Sequence, residues 1–221
     1  MRTYNGPANG YDYGYFLAVD GSGNVYVTGD SYDSEMLEDF ATVKYDASGS
    51  EVWVRRYNGP GNSYDFTHAV TVDVSGNIYV VGKSPGSGTS NDYATIKYYP
   101  NGDTAWVRRY DGPASDSDRA HAVTVDAYRN VYVTGASCGI GTGDDISTIK
   151  YYPNGDTAWV RTYHNGAESP FDVAVDGAGY VYVTGYAIPG TETTSDYATI
   201  KYYPNGDTAW VRGYNGPGER A

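Results

Sequence analysis

The apolar positions of the chain fall in short runs divided by turn residues, and one set of four runs recurs. Phe16-Leu17-Ala18-Val19 is the first run, and its length and composition predict a strand. Asp20-Gly21-Ser22-Gly23-Asn24 supplies glycine for a positive φ and predicts a tight turn. Val25-Tyr26-Val27-Thr28 predicts a second strand, ended by Gly29. A longer connection leads to a third, Phe40-Ala41-Thr42-Val43-Lys44-Tyr45. A second tight turn, Asp46-Ala47-Ser48-Gly49, leads to the fourth, Val52-Trp53-Val54-Arg55-Arg56-Tyr57. Later copies write that turn as Pro-Asn-Gly-Asp, as at Pro100 to Asp103. The second strand is apolar on both sides, with Val25 and Val27 on one and Tyr26 on the other. A strand of that kind is covered on both faces.

The recurrence is measured by Trp53, Trp106, Trp159 and Trp210, at intervals of 53, 53 and 51 residues. Lys44, Lys97, Lys150 and Lys201 keep the same intervals, and Asp20, Asp73, Asp126 and Asp176 follow at 53, 53 and 50. Four short strands joined by hairpins make a meander, which cannot bury both faces alone; stacking successive meanders face to face supplies the cover. Repeats of this length with four strands each predict an all-β fold, a β-propeller of four-stranded antiparallel blades. The blades are expected near residues 11–58, 64–111, 117–164 and 169–215 of a single domain, 1–221. Residues 1–10 match a preceding blade junction, because Arg2-Thr3-Tyr4 repeats Arg161-Thr162-Tyr163. A β-solenoid would need shorter rungs and parallel pairing, against which the hairpin turns argue.

Composition agrees with many short strands and turns: 26 Tyr against 4 Phe, with 29 Gly in 221 residues. The formal charge of −12 argues against nucleic acid and anionic membrane, which are bound chiefly through Lys and Arg. No apolar run is long enough to span a bilayer, and the N-terminus lacks the apolar core of a signal peptide. The single Cys138 excludes an intrachain disulfide and reads as a small loop residue.

The stretches Val19 to Gly29, Asp92 to Tyr98 and Trp106 to Tyr110 resemble the bacterial β-propeller repeat family called SBBP, over nearly the whole chain. The resemblance implies an extracellular or cell-surface protein and transfers no catalytic residue. Some seven blades are usual in that family, and four are present here. Three outcomes follow: two copies completing an eight-bladed ring, a single chain closed as a four-bladed ring, or an open arc. The homodimer is the expected form, because an open arc would leave two apolar sheet faces bare.

Copy-to-copy comparison separates scaffold from candidate function. The tight turns keep their lengths, whereas the connections between second and third strands, Asp30 to Asp39, Lys83 to Asp92, Ala136 to Asp145 and Tyr186 to Asp196, all differ. Variable loops on a repeated scaffold are the usual binding positions. The connections between blades lie on that same face and carry Tyr4, Tyr11, Tyr13, Tyr57, Tyr64, Tyr110 and Tyr163. These rings suit a protein or glycan surface, or else pack between blades. The candidate ligand-binding residues are Tyr11, Tyr13, Asp33, Glu35, Tyr64, Asp118 and Tyr186. Asp30, Asp33 and Glu35 offer oxygen donors for Ca²⁺ without EF-hand spacing, so a solvated acidic loop is expected and no cofactor is assigned. His68 and His121 match Tyr15 and Phe171 in other copies, which predicts a packing role. The recurring Lys44, Lys97, Lys150 and Lys201, with Arg55, Arg108, Arg161 and Arg212, are expected to pair with Asp39, Asp92, Asp145 and Asp196 or to lie along the blades. No nucleophile triad, zinc spacing or phosphate loop is present. A non-enzymatic extracellular binding or adhesion scaffold is therefore expected, with a lectin-like propeller or a purely structural module as alternatives; carboxylate pairs leave glycosidase or lyase chemistry open.

Overall fold

The computed structural model describes residues 3–35, 37–188 and 194–216. They contain sixteen strands and no helix, arranged as four separate four-stranded antiparallel sheets. The first blade is β1 (Asp12–Val19), β2 (Val25–Tyr32), β3 (Glu38–Tyr45) and β4 (Glu51–Tyr57). The second is β5 (Phe66–Val72), β6 (Ile78–Pro85), β7 (Asn91–Tyr98) and β8 (Thr104–Tyr110). The third is β9 (Arg119–Val125), β10 (Val131–Gly139), β11 (Gly143–Tyr151) and β12 (Thr157–Tyr163). The fourth is β13 (Ala167–Val175), β14 (Val181–Ile188), β15 (Asp196–Tyr202) and β16 (Thr208–Tyr214). Each sheet is a plain meander in chain order, as the hairpin turns require.

The strands run further than the apolar runs alone indicate. β2 does not stop at Gly29 but pairs on through Tyr32, and β1 begins four residues ahead of Phe16. The glycine has another role. A register shift on β1 between Gly14 and Phe16 pushes the Tyr13 carbonyl onto the place where a Gly29 Cβ would sit. Gly82, Gly135 and Gly185 face the same bulge in the other blades. A strand glycine of this kind marks close backbone approach rather than a strand end. The connections read as long variable loops are therefore mostly paired strand. Cys138, expected in a loop, lies on β10. Residues 189–193 of the last such connection, and Arg2 of the junction-like N-terminus, fall outside the described residues.

The first tight turn of each blade is held by one carboxylate. Asp73 Oδ1 accepts hydrogen bonds from the amides of Ser75 and Asn77, and Oδ2 accepts them from Asn77 Nδ2 and the Tyr79 hydroxyl. Asp20 does the same in the first blade; against the burial that pushes it up, its bonds from Asn24, Tyr26 and Ser22 hold its carboxyl down at about 2.

Successive blades stack through unlike faces. Tyr26, Phe40 and Trp53 on the leading face of the first blade pack against Ile78, Val80, Ala94, Ile96 and Tyr98 on the trailing face of the second. The next two junctions repeat this with Trp106 and Trp159. The inner strands follow in order, β1 beside β5, β5 beside β9 and β9 beside β13. Among the described residues β13 has no matching packing with β1. The trailing face of the first blade and the leading face of the last are open to solvent, with Leu17 and Tyr197 both about two-thirds exposed (65% and 68%).

Candidate binding surface and blade junctions

Each leading face at an internal junction hands three groups to the following blade. Trp53 Nε1 and Lys44 Nζ both donate to the Pro100 carbonyl, each at 3.1 Å, and Arg55 Nε donates to the Gly102 carbonyl at 2.6 Å. Trp106, Lys97 and Arg108 do the same to Pro153 and Gly155. The recurring lysines thus seek backbone carbonyls and lie over Tyr26, Tyr79 and Tyr132. The expected pairing of these lysines with Asp39, Asp92 and Asp145 is not what the fold makes. The recurring arginines do not pair with them either: Arg55 and Arg108 reach Asp103 and Asp156 at 4.0 and 3.9 Å.

The carboxylates of the third strands meet a different residue, one position further along. Arg56 Nη2 lies 3.0 Å from Asp39 Oδ2, and Arg109 Nη2 lies 2.8 Å from Asp92 Oδ2. Arg109 also donates to the Tyr57 hydroxyl of the blade before it, and Arg56 to that of Tyr4. Residues around Tyr4 thereby reproduce a blade junction: the Gly6 amide donates to Asp12 as Gly59 does to Asp65 and Gly112 to Asp118. In the third and fourth blades the arginine position holds Thr162 and Gly213. There Asp145 is met instead by His164, with Nδ1 2.7 Å from Oδ1. Glu168, at the position of Asp12, Asp65 and Asp118, accepts the Asn165 amide through Oε1. Its Oε2 has no hydrogen-bond partner, although the residue is only 1% exposed. Burial pushes the Glu168 carboxyl up to about 7. This cluster was missed in the sequence. Its only signal is the copy-to-copy alignment of positions 58, 111 and 164, where Asn, Asp and His stand in turn.

The candidate residues are dispersed among several roles. Tyr11 is 66% exposed and stacks on Tyr13 at 6.1 Å between ring centres; Tyr13 stacks on Tyr15 at 5.9 Å. Tyr64 is also exposed and stacks on Phe66, whose other neighbour is the Lys83 ammonium at 4.6 Å. A groove of about 310 Å³ lies beside them, bounded by Ser63, Tyr64, Phe66, Lys83 and Asn91. Tyr186 packs against Phe171 on the fourth blade. Tyr57, Tyr110 and Tyr163 are packed between blades. Asp118 is fully buried and accepts hydrogen bonds from the amides of Gly112 and Cys138. Asp30 is buried too, and its Oδ1 accepts the amide and hydroxyl of Thr67 in the next blade. Burial pushes Asp30 up to about 6 against those two bonds. Asp33 Oδ1 closes its own turn through the amides of Glu35 and Leu37. Among the described residues, Asp30, Asp33 and Glu35 do not form one group of donor oxygens. His68 and His121 sit edge to face on neighbouring inner strands, with Nδ1 atoms 2.7 Å from the carbonyls of Ala120 and Pro170. Burial pushes His68 down to about 4.

No helix among the described residues is long and apolar enough to cross a membrane. Residues 2–34 and 52–92 match the SBBP β-propeller repeat. No curated protein matches the chain. Similar solved structures include a gluconolactonase of Xanthomonas campestris, at 14% identity and TM-score 0.48, covering 87% of this chain and 59% of that one. An endo-arabinase of Bacteroides thetaiotaomicron matches at 12% identity and TM-score 0.49, over 91% of this chain and 80% of that one. Levansucrase of Bacillus subtilis matches at 7% identity and TM-score 0.46, over 87% and 68%. The chain thus spans less than two thirds of the gluconolactonase.

Proposed function

We propose that this array of SBBP β-propeller repeats is an extracellular or surface binding module that holds a protein partner and catalyses no reaction. The observation that carries the reading is the set of stacked rings on two adjacent blades. Tyr11, Tyr13, Tyr15, Tyr64 and Phe66 gather on the inner strands and junctions of the first two blades. The equivalent positions of the third blade are Ser117, Arg119 and His121, and the fourth keeps a single ring there, Phe171. A glycan-binding propeller would be expected to repeat its site from blade to blade, whereas a single broad patch suits one protein surface. Tyrosine provides large contact area at small entropic cost, with a hydroxyl for the rim. The carboxylates with raised pKa support binding over catalysis, because Asp30 and Asp65 hold backbone amides at the junctions.

The test is selection of a displayed peptide library on the intact chain, alongside a glycan array. Peptides that bind the wild type and lose at least about tenfold in affinity to a Tyr11→Ala/Tyr13→Ala/Tyr64→Ala variant are the expected result; such losses are typical of aromatic anchors. Array binding abolished by the same substitutions would replace the protein partner by a sugar.

A further inference from the structure

We infer that Asp145, His164 and Glu168 form a binding site for one divalent transition-metal ion at the junction of the third and fourth blades. One donor atom from each lies within 4.8 Å of the others. Asp145 and Glu168 are both buried. At the first junction the equivalent carboxylates, Asp39 and Asp65, have Arg56 and Arg109 in their two blades. At the third junction both arginine positions are lost, to Thr162 and Gly213. Two buried carboxylates without a guanidinium have only His164 beside them as a partner for their charge, a costly arrangement in a protein interior. Glu168 Oε2 has no hydrogen-bond partner; Asp39 Oδ1 and Asp65 Oδ1 at the first junction lack one too, but have the guanidinium groups of Arg56 and Arg109 nearby. His164 adds an imidazole at the open side of the cluster, where a cation can enter. An imidazole with two carboxylates suits Zn²⁺ and its first-row neighbours; an all-oxygen set would suit Ca²⁺. The homologous group one junction earlier, Asp92, Asp111 and Asp118, has no imidazole and retains Arg109 on Asp92.

The measurement is calorimetric titration of the full chain with Zn²⁺. One equivalent is expected to bind the wild type and to be lost in His164→Ala. It is also expected to be lost in Thr162→Arg, which restores the guanidinium of the earlier blades and should fold at least as well as the wild type. Binding should survive in His68→Phe and Cys138→Ser. An absence of binding, an equivalent that survives both His164→Ala and Thr162→Arg, or one lost instead with His68 or Cys138, would overturn the site.

A separate observation concerns the two bare end faces, and the geometry points to a second copy of the chain as their occupant. Every internal junction seats a Trp and an Arg against a turn glycine, and a Cβ on Gly102 would meet Trp53 and Arg55 at about 3.0 Å. Gly49 is the same position in the first blade, with φ of 79° and nothing within 4 Å. Beside it runs a groove of about 520 Å³ bounded by Val25, Val27, Tyr45 and Ala47. The last described blade presents the matching Trp210, Lys201 and Arg212, which meet no further blade among the described residues. Each copy can therefore give its last leading face to the other's first trailing face, continuing the internal interface around a two-fold ring of eight blades. Light scattering on a sizing column is expected to give twice the chain mass of 23.9 kDa, falling to one in Trp210→Ala. A wild-type monomer at all concentrations, or a mass that keeps rising with concentration, would overturn the two-copy ring.

Discussion

At the scale of single residues, the protein separates groups that recur from groups that differ between copies, and the two have different work. Asp30 shows how a residue that looks solvated can be structural. Its carboxyl is buried and raised to about 6, above the ordinary 3.8. The folded state therefore holds the proton more tightly than the unfolded one. That contribution to stability is complete below the unfolded value and lost as pH rises through about 6. Asp30→Asn keeps an acceptor for Thr67 and removes the titration. From about pH 5 to about pH 8 the wild type should lose about 1.4 kcal/mol relative to this variant in urea unfolding; parallel pH profiles would refute the assignment. The four-fold Trp and Lys were legible in the sequence as scaffold, but their acceptors were not. The carbonyls of Pro100 and Pro153 carry no side-chain signature, so only a structure shows that the lysines reach them. Arg56 and Arg109, which do pair with the carboxylates, were obscured because Thr162 and Gly213 break the recurrence.

At the scale of the strand, the turn chemistry and the apolar runs located the tight turns between first and second and between third and fourth strands, while the strand ends were misjudged. Gly29 reads as a stop when propensity alone is considered. Its true constraint is a bulge on the neighbouring strand, a relation between two segments that no single run records. Gly82→Ala tests this directly. The added Cβ would meet the Phe66 carbonyl and, at 2.7 Å, the Phe40 ring of the preceding blade, so a loss of about 3 kcal/mol in urea unfolding is expected. Gly21→Ala, in a turn with nothing within 4 Å and no positive φ, should stay within about 0.5 kcal/mol of the wild type. Equal effects at the two sites would remove the bulge as the reason for the glycine. The same misjudged ends placed Asp118 among exposed candidates, since a strand carried past the glycine takes the next residues into the junctions with it.

At the scale of the whole molecule, each blade touches only its neighbours, so stability is a sum of blades and junctions. The junctions are unequal. Arg109 ties the second blade to Tyr57 of the first, whereas Thr162 and Gly213 leave the later blades without that bond. The middle blades are covered on both faces, and the fourth has a bare leading face. In hydrogen exchange at concentrations where copies are apart, amides of β14 and β15 should exchange first and those of β6 and β7 last. Uniform protection would mean that the four blades open as one unit. The blade architecture was evident from periodicity alone, and ring closure was not, because closure depends on an angle between sheets that accumulates around the axis and leaves no mark in any one repeat.

The internal junctions share the Trp, Lys and Arg contacts to turn carbonyls, and those contacts join unlike faces. A stretch of gene encoding one blade can therefore be duplicated or lost, and the two blades left as neighbours still meet through a leading and a trailing face. Inheritance is free to alter how many blades a descendant carries far more readily than it can alter the seam between them. The loops and the broken arginine positions, which no neighbouring seam requires, are where related arrays are expected to diverge first.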